Sequence, residues 1–276
     1  MGSSPAWPER PSAATPELGA EPLTCDALTA TFRVLQRRGG HRFSVDDRMT
    51  AWVAAKLAQA RAARAPDAPP LRVLDLGTGL GSVLLMLAWV APEAALVGVE
   101  AQAESYALLV QNVARNGVSA RARLVHGDLR ERVPELPARS FDLVTGTPPY
   151  LPPGTATPSP DPQRAAARIE LRGGVEAYLA AAAHAVAPGG HVVVCADGRT
   201  PERTRRAASA VGLAARAALH VVPREGADPL FTVWTLAPAT PGEAGPRAHA
   251  EATHVQRDAR GERTAASREV LALFGL

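Results

Sequence analysis

Cysteine is scarce in this chain of 276 residues: Cys25 and Cys195 are the only two. They lie far apart, in segments of different kinds, so neither a disulfide framework nor a thiolate metal cluster is indicated. No apolar run approaches the roughly 20 residues that a membrane helix needs, and the start MGSSPAWPERPSAATPELG has no long apolar core. A soluble protein of a reducing cytoplasm, with no membrane partner, is expected. The formal net charge is only +3, so nucleic acid is allowed but not demanded by bulk charge, and the position of the charge matters more. Neither the phosphate-cradling GK[ST] sequence nor HExxH occurs, so no metal site is expected. His126, His184, His191 and Cys195 are assigned ordinary packing or surface roles.

What is present is organised around VLDLGTGLG, Val73 to Gly81. A short apolar run, an acid, a glycine-rich turn and the apolar run SVLLMLAW describe a buried parallel strand feeding a helix. The following segments repeat the βα spacing. ALVGVE (95–100) reads as the second strand, AESYALLVQNVARNG as its helix, ARARLVHGDL as a third strand and FDLVTG as a fourth. The fold class is therefore α/β, a Rossmann-like, doubly wound and mostly parallel sheet. The two late apolar strands around REGADP add a C-terminal antiparallel hairpin.

The chain divides into four stretches. Residues 1–22 read as a disordered leader and 23–66 as a basic hairpin and helix forming a lid. Residues 67–238 are the main domain, and 239–276 a polar tail with a short terminal helix. In the lid, Thr31 to Leu35 and HRFSV are expected to pair across a Gly39-Gly40 turn. Arg33, Arg37, Arg38, Arg42 and Arg48 lie there, opposed by Asp46 and Asp47. They suit either a phosphate backbone or an internally paired surface. After Tyr150 a long Pro-, Gly- and Ser-rich loop is expected, with helical patterning resuming from Ile169 to Ala187.

The chemistry concentrates at strand ends. Asp75 precedes the turn glycines Gly77, Gly79 and Gly81. Glu100 ends the second strand, where its two oxygens can accept both hydroxyls of a ribose. Asp128 follows the third strand, facing an adenine edge or capping the helix LRERV. Thr147-Pro148-Pro149-Tyr150 ends the fourth. Two prolines remove both amide donors and hold an extended backbone, so the Thr147 hydroxyl, the Pro148 carbonyl and the Tyr150 ring can cradle a planar amine.

DLGTGLG, GVE, HGDL and TPPY together resemble the class I S-adenosylmethionine-dependent methyltransferases of the amino-methylating branch. GHRFSVDDRMTAWVA and QRAAARIE resemble, more narrowly, the bacterial enzymes that methylate adenine N6 in valine tRNA. The resemblance covers roughly residues 23–238. It implies S-adenosylmethionine as cofactor, bound by Asp75, Gly77, Thr78, Gly79, Gly81, Glu100 and Asp128, with Asp46 or its neighbours closing over it. Thr147, Pro148 and Tyr150 would hold the target amine, with Pro149, Arg37, Arg38 and Arg42 on the substrate. The implied substrate is an adenine of tRNA or another RNA. A protein side-chain amide, a small-molecule amine and a noncatalytic RNA-binding protein that keeps the cofactor fold are the alternatives. The family usually has Asn-Pro-Pro-Tyr. The shorter, rotating hydroxyl of Thr147 also donates, and is expected to hold an amine more weakly or in a different direction.

Overall fold

The computed structural model describes residues 21–240 and 249–276, so the leader expected over residues 1–22 lies almost entirely outside the described residues. Eight strands form one sheet in the order β10-β8-β9-β7-β6-β3-β4-β5. The parallel core is β3 (Arg72–Leu76), β4 (Ala95–Glu100), β5 (Ala122–His126), β6 (Phe141–Gly146) and β7 (Val186–Asp197). Near-continuous Val and Leu in β3 and β4 suit strands covered on both faces. The covering helices are α2 (Ser82–Val90), α3 (Ala103–Arg115), the short α4 (Leu129–Arg132), α6 (Val175–Ala185) and α7 (Pro201–Ala210). One buried layer holds Leu84, Met86 and Leu108, and the other holds Phe141, Leu179 and Trp234. Chain order reverses between β3 and β6, the place where open α/β sheets leave a crevice at their carboxyl ends.

β8 (Leu213–Val222) and β9 (Phe231–Pro238) form the expected antiparallel hairpin, with β9 inserted between β7 and β8. Within 249–276 the expected short terminal helix is present, and a strand stands where only polar tail was expected. Ala250–Val255 forms β10, which extends the sheet parallel to β8. The helix α8 (Ala265–Leu273) follows it and buries Val270 and Phe274. Lys56 of α1 (Val45–Arg64) bonds Glu269 of α8 at 3.0 Å. Composition alone missed β10 because only His254 of its six residues is buried. Among the described residues no helix is long and apolar enough to cross a membrane.

The N-terminal hairpin is real but shifted. Its strands are β1 (Leu23–Ala27) and β2 (Arg33–Arg37), not 31–35 and 41–45. The turn lies at Leu28–Phe32, where Thr29 Oγ1 accepts the Phe32 amide at 3.0 Å. HRFSV cannot pair with β2, because side chains already occupy that edge. Asn112 of α3 accepts the Leu35 amide (2.7 Å) and donates to the Leu35 and Leu80 carbonyls (3.1 and 2.9 Å). One turn on, Asn116 exchanges the same pair of bonds with Arg33 (2.9 and 2.8 Å). Two amides four residues apart on one helix face thus substitute for a strand.

Of the helix expected over 169–187 only α6 is helical: residues 169–174 are bridges and turns, Gly173 with φ +94°, and Val186 and Ala187 already belong to β7. α5 (Pro162–Arg168), capped by Asp161, begins inside the stretch expected to be loop.

Replacing Asn112 by Leu leaves three backbone groups without partners. The expected loss is about 3 kcal/mol of stability. Hydrogen exchange at the Leu35 amide accelerates while that of β3 stays slow. Unchanged protection at Leu35 would contradict the docking role of Asn112.

Candidate active site

A cleft opens at the carboxyl ends of β3, β4, β5 and β6. Its floor is the glycine turn. Gly77 and Gly79 have φ of +57° and +58°, which L side chains rarely adopt. A Cβ on Gly79 would meet nothing within 4 Å, so that backbone faces open space where a ligand can approach. At Gly77 the Tyr178 hydroxyl of α6 fills the corresponding space.

Glu100 is 5% exposed and lines the cleft. Its Oε2 accepts the Gly79 amide at 2.9 Å and its Oε1 the Gln102 amide at 2.6 Å. Burial pushes its carboxyl above the usual range, against the pull of those amides. The Ala101 amide acts on it as well, and a carboxylate's four lone-pair sites still leave room for a further donor. Asp128 both caps α4, through the Arg130 amide (3.0 Å), and lines the cleft. The Arg130 guanidinium bonds both its oxygens and holds its pKa down.

Asp75 does not reach the cleft. It lies beneath the turn, 1% exposed, accepting from Thr145 Oγ1 (2.6 Å) and Thr78 Oγ1 (2.5 Å). Burial raises its pKa to about 6, against those bonds and the Leu84 amide. Gly81 is likewise structural. It is the left-handed N-cap residue of α2, and a Cβ there would come within 2.8 Å of Leu109 Cδ1. Both had been expected to bind the cofactor.

The lid brings Asp47 into the cleft in place of the expected Asp46. Asp47 is the third residue of α1 and its Oδ2 accepts the Ser44 amide at 2.9 Å, which turns the side chain inward. Asp46, the residue before it, accepts from the Tyr150 hydroxyl at 3.0 Å instead. The pKa of Asp47 is pushed up to about 7, chiefly by burial and then by Asp46.

The TPPY stretch divides between two cavities. Thr147 and Pro149 line the main cleft. Pro148 and Tyr150 line a smaller hollow of about 220 Å³ that Pro149 also borders. The Tyr150 hydroxyl is fixed between Asp46 and Cys195 Sγ, the latter at 2.8 Å. Sequence reading missed this use of Cys195, whose neighbours VVVCA signal only a buried strand.

The lid arginines do not converge on a free basic face. Arg37 bonds Glu104 and Asp161 at 2.8 Å each and pairs with Glu21, tying β2 to α3 and α5. Arg42 bonds Thr24 (2.8 Å) and Asp26 (3.0 Å). Arg38 is exposed, away from the cleft lining. Unpaired positive charge gathers at the end of α5 and in the turn beyond it, where the sequence reading assigned no substrate role. Arg168 and Arg172 are exposed, and Arg172, with Ala166 and Ala167, borders the cleft mouth. Burial raises the pKa of Glu100 and Arg172 partly offsets it; Arg130 holds that of Asp128 down, with Arg172 adding to it; and burial lowers that of His41, with Arg164 and Arg168 adding to it.

The cleft is acidic inside, with Asp47, Glu100 and Asp128 in its wall. It suits a cationic ligand bearing hydroxyls better than a polyphosphate. The residues present fit S-adenosylmethionine on these grounds: open backbone at Gly79, acceptor oxygens at Glu100, and an acidic wall for a sulfonium.

Comparison with known proteins agrees with this chemistry. A family described as "Methyltransferase domain" matches residues 73–157. The tRNA1(Val) (adenine(37)-N6)-methyltransferase of Citrobacter koseri is 31% identical over 177 residues, covering 64% of this chain and 71% of that protein. The release factor glutamine methyltransferase of Caulobacter vibrioides is 35% identical over 116 residues, and this match spans 42% of the chain and only 39% of the relative. A crystal structure of a predicted O-methyltransferase from Agrobacterium tumefaciens superposes with a TM-score of 0.57 at 16% identity, covering 81% of this chain and 95% of that one, a likeness of fold.

Replacing Asp75 by Ala strands the Thr78 and Thr145 hydroxyls and the Leu84 amide. The expected loss is about 3 kcal/mol in denaturant unfolding. Unfolding at the wild-type midpoint would contradict a structural role for Asp75.

Proposed function

The chain belongs to the class I S-adenosylmethionine-dependent N-methyltransferases, and on that premise we propose that it methylates the exocyclic N6 amine of an adenine in tRNA or another RNA, in a cytoplasmic setting. The observation that carries the reading is that Thr147 and Pro149 share one cleft with Gly79 and Glu100. An amine held at TPPY therefore meets the donor in a single cavity. Residues 23–66 serve as the lid, 67–238 as the transferase unit, and β10 with α8 as its buttress.

S-adenosylmethionine supplies a methyl group on a sulfonium, a centre that needs only an aligned nucleophile. The protein's part is mainly orientation. In this reading Gly77, Thr78 and Gly79 offer backbone to the donor, Glu100 accepts the ribose hydroxyls and Asp128 borders the adenine. Asp47 closes the lid side. The Thr147 hydroxyl, on the cleft wall, accepts an N–H bond of the target amine, and Pro148, which lines the adjoining hollow, keeps the stretch extended. Tyr150, anchored through Asp46 and Cys195, keeps the two prolines rigid and gives the base an aromatic edge. An RNA base must be unpaired or splayed out to enter.

The cationic rim of Arg164, Arg168 and Arg172 supports a polyanionic substrate, in the role first expected of Arg37, Arg38 and Arg42. A protein side-chain amide is the second reading, because it is planar and carries the same N–H donors, and because the Caulobacter relative is named for glutamine methylation.

The test is transfer of labelled methyl from S-adenosylmethionine to unmodified total tRNA, followed by nucleoside mass spectrometry. N6-methyladenosine is the expected product. Label entering protein and no RNA would select the second reading. Glu100→Ala is expected to weaken S-adenosylmethionine binding by about tenfold or more in calorimetry, and unchanged affinity would remove its ribose role. Removing Arg168 and Arg172 together is expected to lower RNA affinity and reduce the slope of log affinity against log salt by about two. An unaltered slope would move the RNA path off this rim.

A further inference from the structure

Threonine at position 147 poses a chemical problem. A lone rotating hydroxyl can offer an approaching amine its own proton as readily as a lone pair, and a proton facing an N–H repels it. An asparagine carbonyl at this position would have no such ambiguity.

The structure supplies the missing constraint from the lid. Asp47 is 7% exposed and lines the same cleft as Thr147. The Ser44 amide engages its Oδ2, at 2.9 Å, so the carboxylate is held while retaining lone pairs. Thr147 lines the same cleft, and its hydroxyl favours the ionised form of Asp47 against the larger effect of burial. Of the side-chain donors in the TPPY stretch, the Tyr150 hydroxyl is already bound to Asp46 and Cys195, and the two prolines offer no amide.

We propose that Asp47 is a positioning residue for the acceptor amine: by accepting the Thr147 hydroxyl proton in a hydrogen bond, it turns the Thr147 oxygen into an obligate acceptor directed at the cleft. Two residues on different elements then do together what one amide oxygen does alone. The inference rests on the reading of TPPY as the amine cradle.

A pH dependence follows. The charged and titratable groups around Asp47 are Asp46 and Arg48 on its own helix, Asp75 of β3, Cys195 of β7 and His41 across the cleft. Burial, Asp46 and Asp75 together raise the Asp47 pKa to about 7. Only the ionised carboxylate is purely an acceptor. The protonated form can donate to Thr147 and occupy the lone pair the amine needs. Cradle function therefore rises as pH increases through about 7.

Two measurements on the full chain test this. The first follows the Asp47 carboxyl by ¹³C NMR across pH. Thr147→Val keeps the shape and removes the hydroxyl, so the midpoint should move upward by about one pH unit, the shift that a hydrogen bond to a charged group is worth. An unchanged midpoint overturns the pair, and the experiment needs no methyl acceptor. The second is a kinetic cycle on unmodified tRNA. Asp47→Ala should lower kcat by about tenfold or more, with a smaller effect on the KM for S-adenosylmethionine. In a Thr147→Asn background the same substitution should cost less than about threefold, and the rise through pH 7 should vanish. Equal losses in both backgrounds overturn the proposal. Absence of transfer to any RNA by the wild-type protein overturns the RNA reading, and the NMR midpoint still decides on the pair.

Discussion

The site depends on one buried carboxylate. Asp75 ends β3 and joins Thr78 in the glycine turn to Thr145 near the end of β6. Two residues beyond Thr145 the TPPY stretch begins. The same group therefore sets the spacing between the two sides of the cleft, the open backbone at Gly79 and the wall at Thr147. A buried aspartate with three donors around it is stable where it stands and would be costly to leave alone, so each partner holds the others in register. Its place under the floor, not in the wall, follows from its position before the turn.

The lid is attached by side chains acting as backbone. Asn112 and Asn116 give β2 the bonds of a neighbouring strand, and Gln163 accepts both the His41 amide (3.2 Å) and Arg37 (3.1 Å) while donating to Ser105 (3.0 Å). Arg37 adds carboxylates from α3 and α5. A lid held this way delivers His41, Phe43 and Asp47 to the cleft mouth at fixed positions. Those arginines thus serve the architecture, and the charge that remains unpaired lies on the opposite lip, beyond α5.

Acidic interior and basic rim serve different ends. The interior carboxylates suit a cationic, hydroxyl-bearing ligand, and the rim suits a polyanion. Short range separates them: the Asp128–Arg130 contacts are satisfied locally, while Arg172 acts on Glu100 and Asp128 across the opening and stays exposed.

The sequence by itself determined the alternation of strands and helices from Arg72 to Gly146, the glycine turn, Glu100 and Asp128 at strand ends, and the position of TPPY after β6. These are readable because they depend on local periodicity and on backbone geometry that few residues permit. Tertiary structure decided what depends on which way a side chain points. It put Asp47 and not Asp46 in the cleft, Asp75 and Gly81 beneath it, and Arg37 and Arg42 among carboxylates. It also split Thr147 and Pro149 from Pro148 and Tyr150. Adjacent residues on a helix point about 100° apart, and a charge finds its partner through space, so neither outcome is written in spacing. The strand β10 escaped for the same reason: an edge strand with one buried side chain carries almost no pattern, and only the free edge of β8 gives it a place.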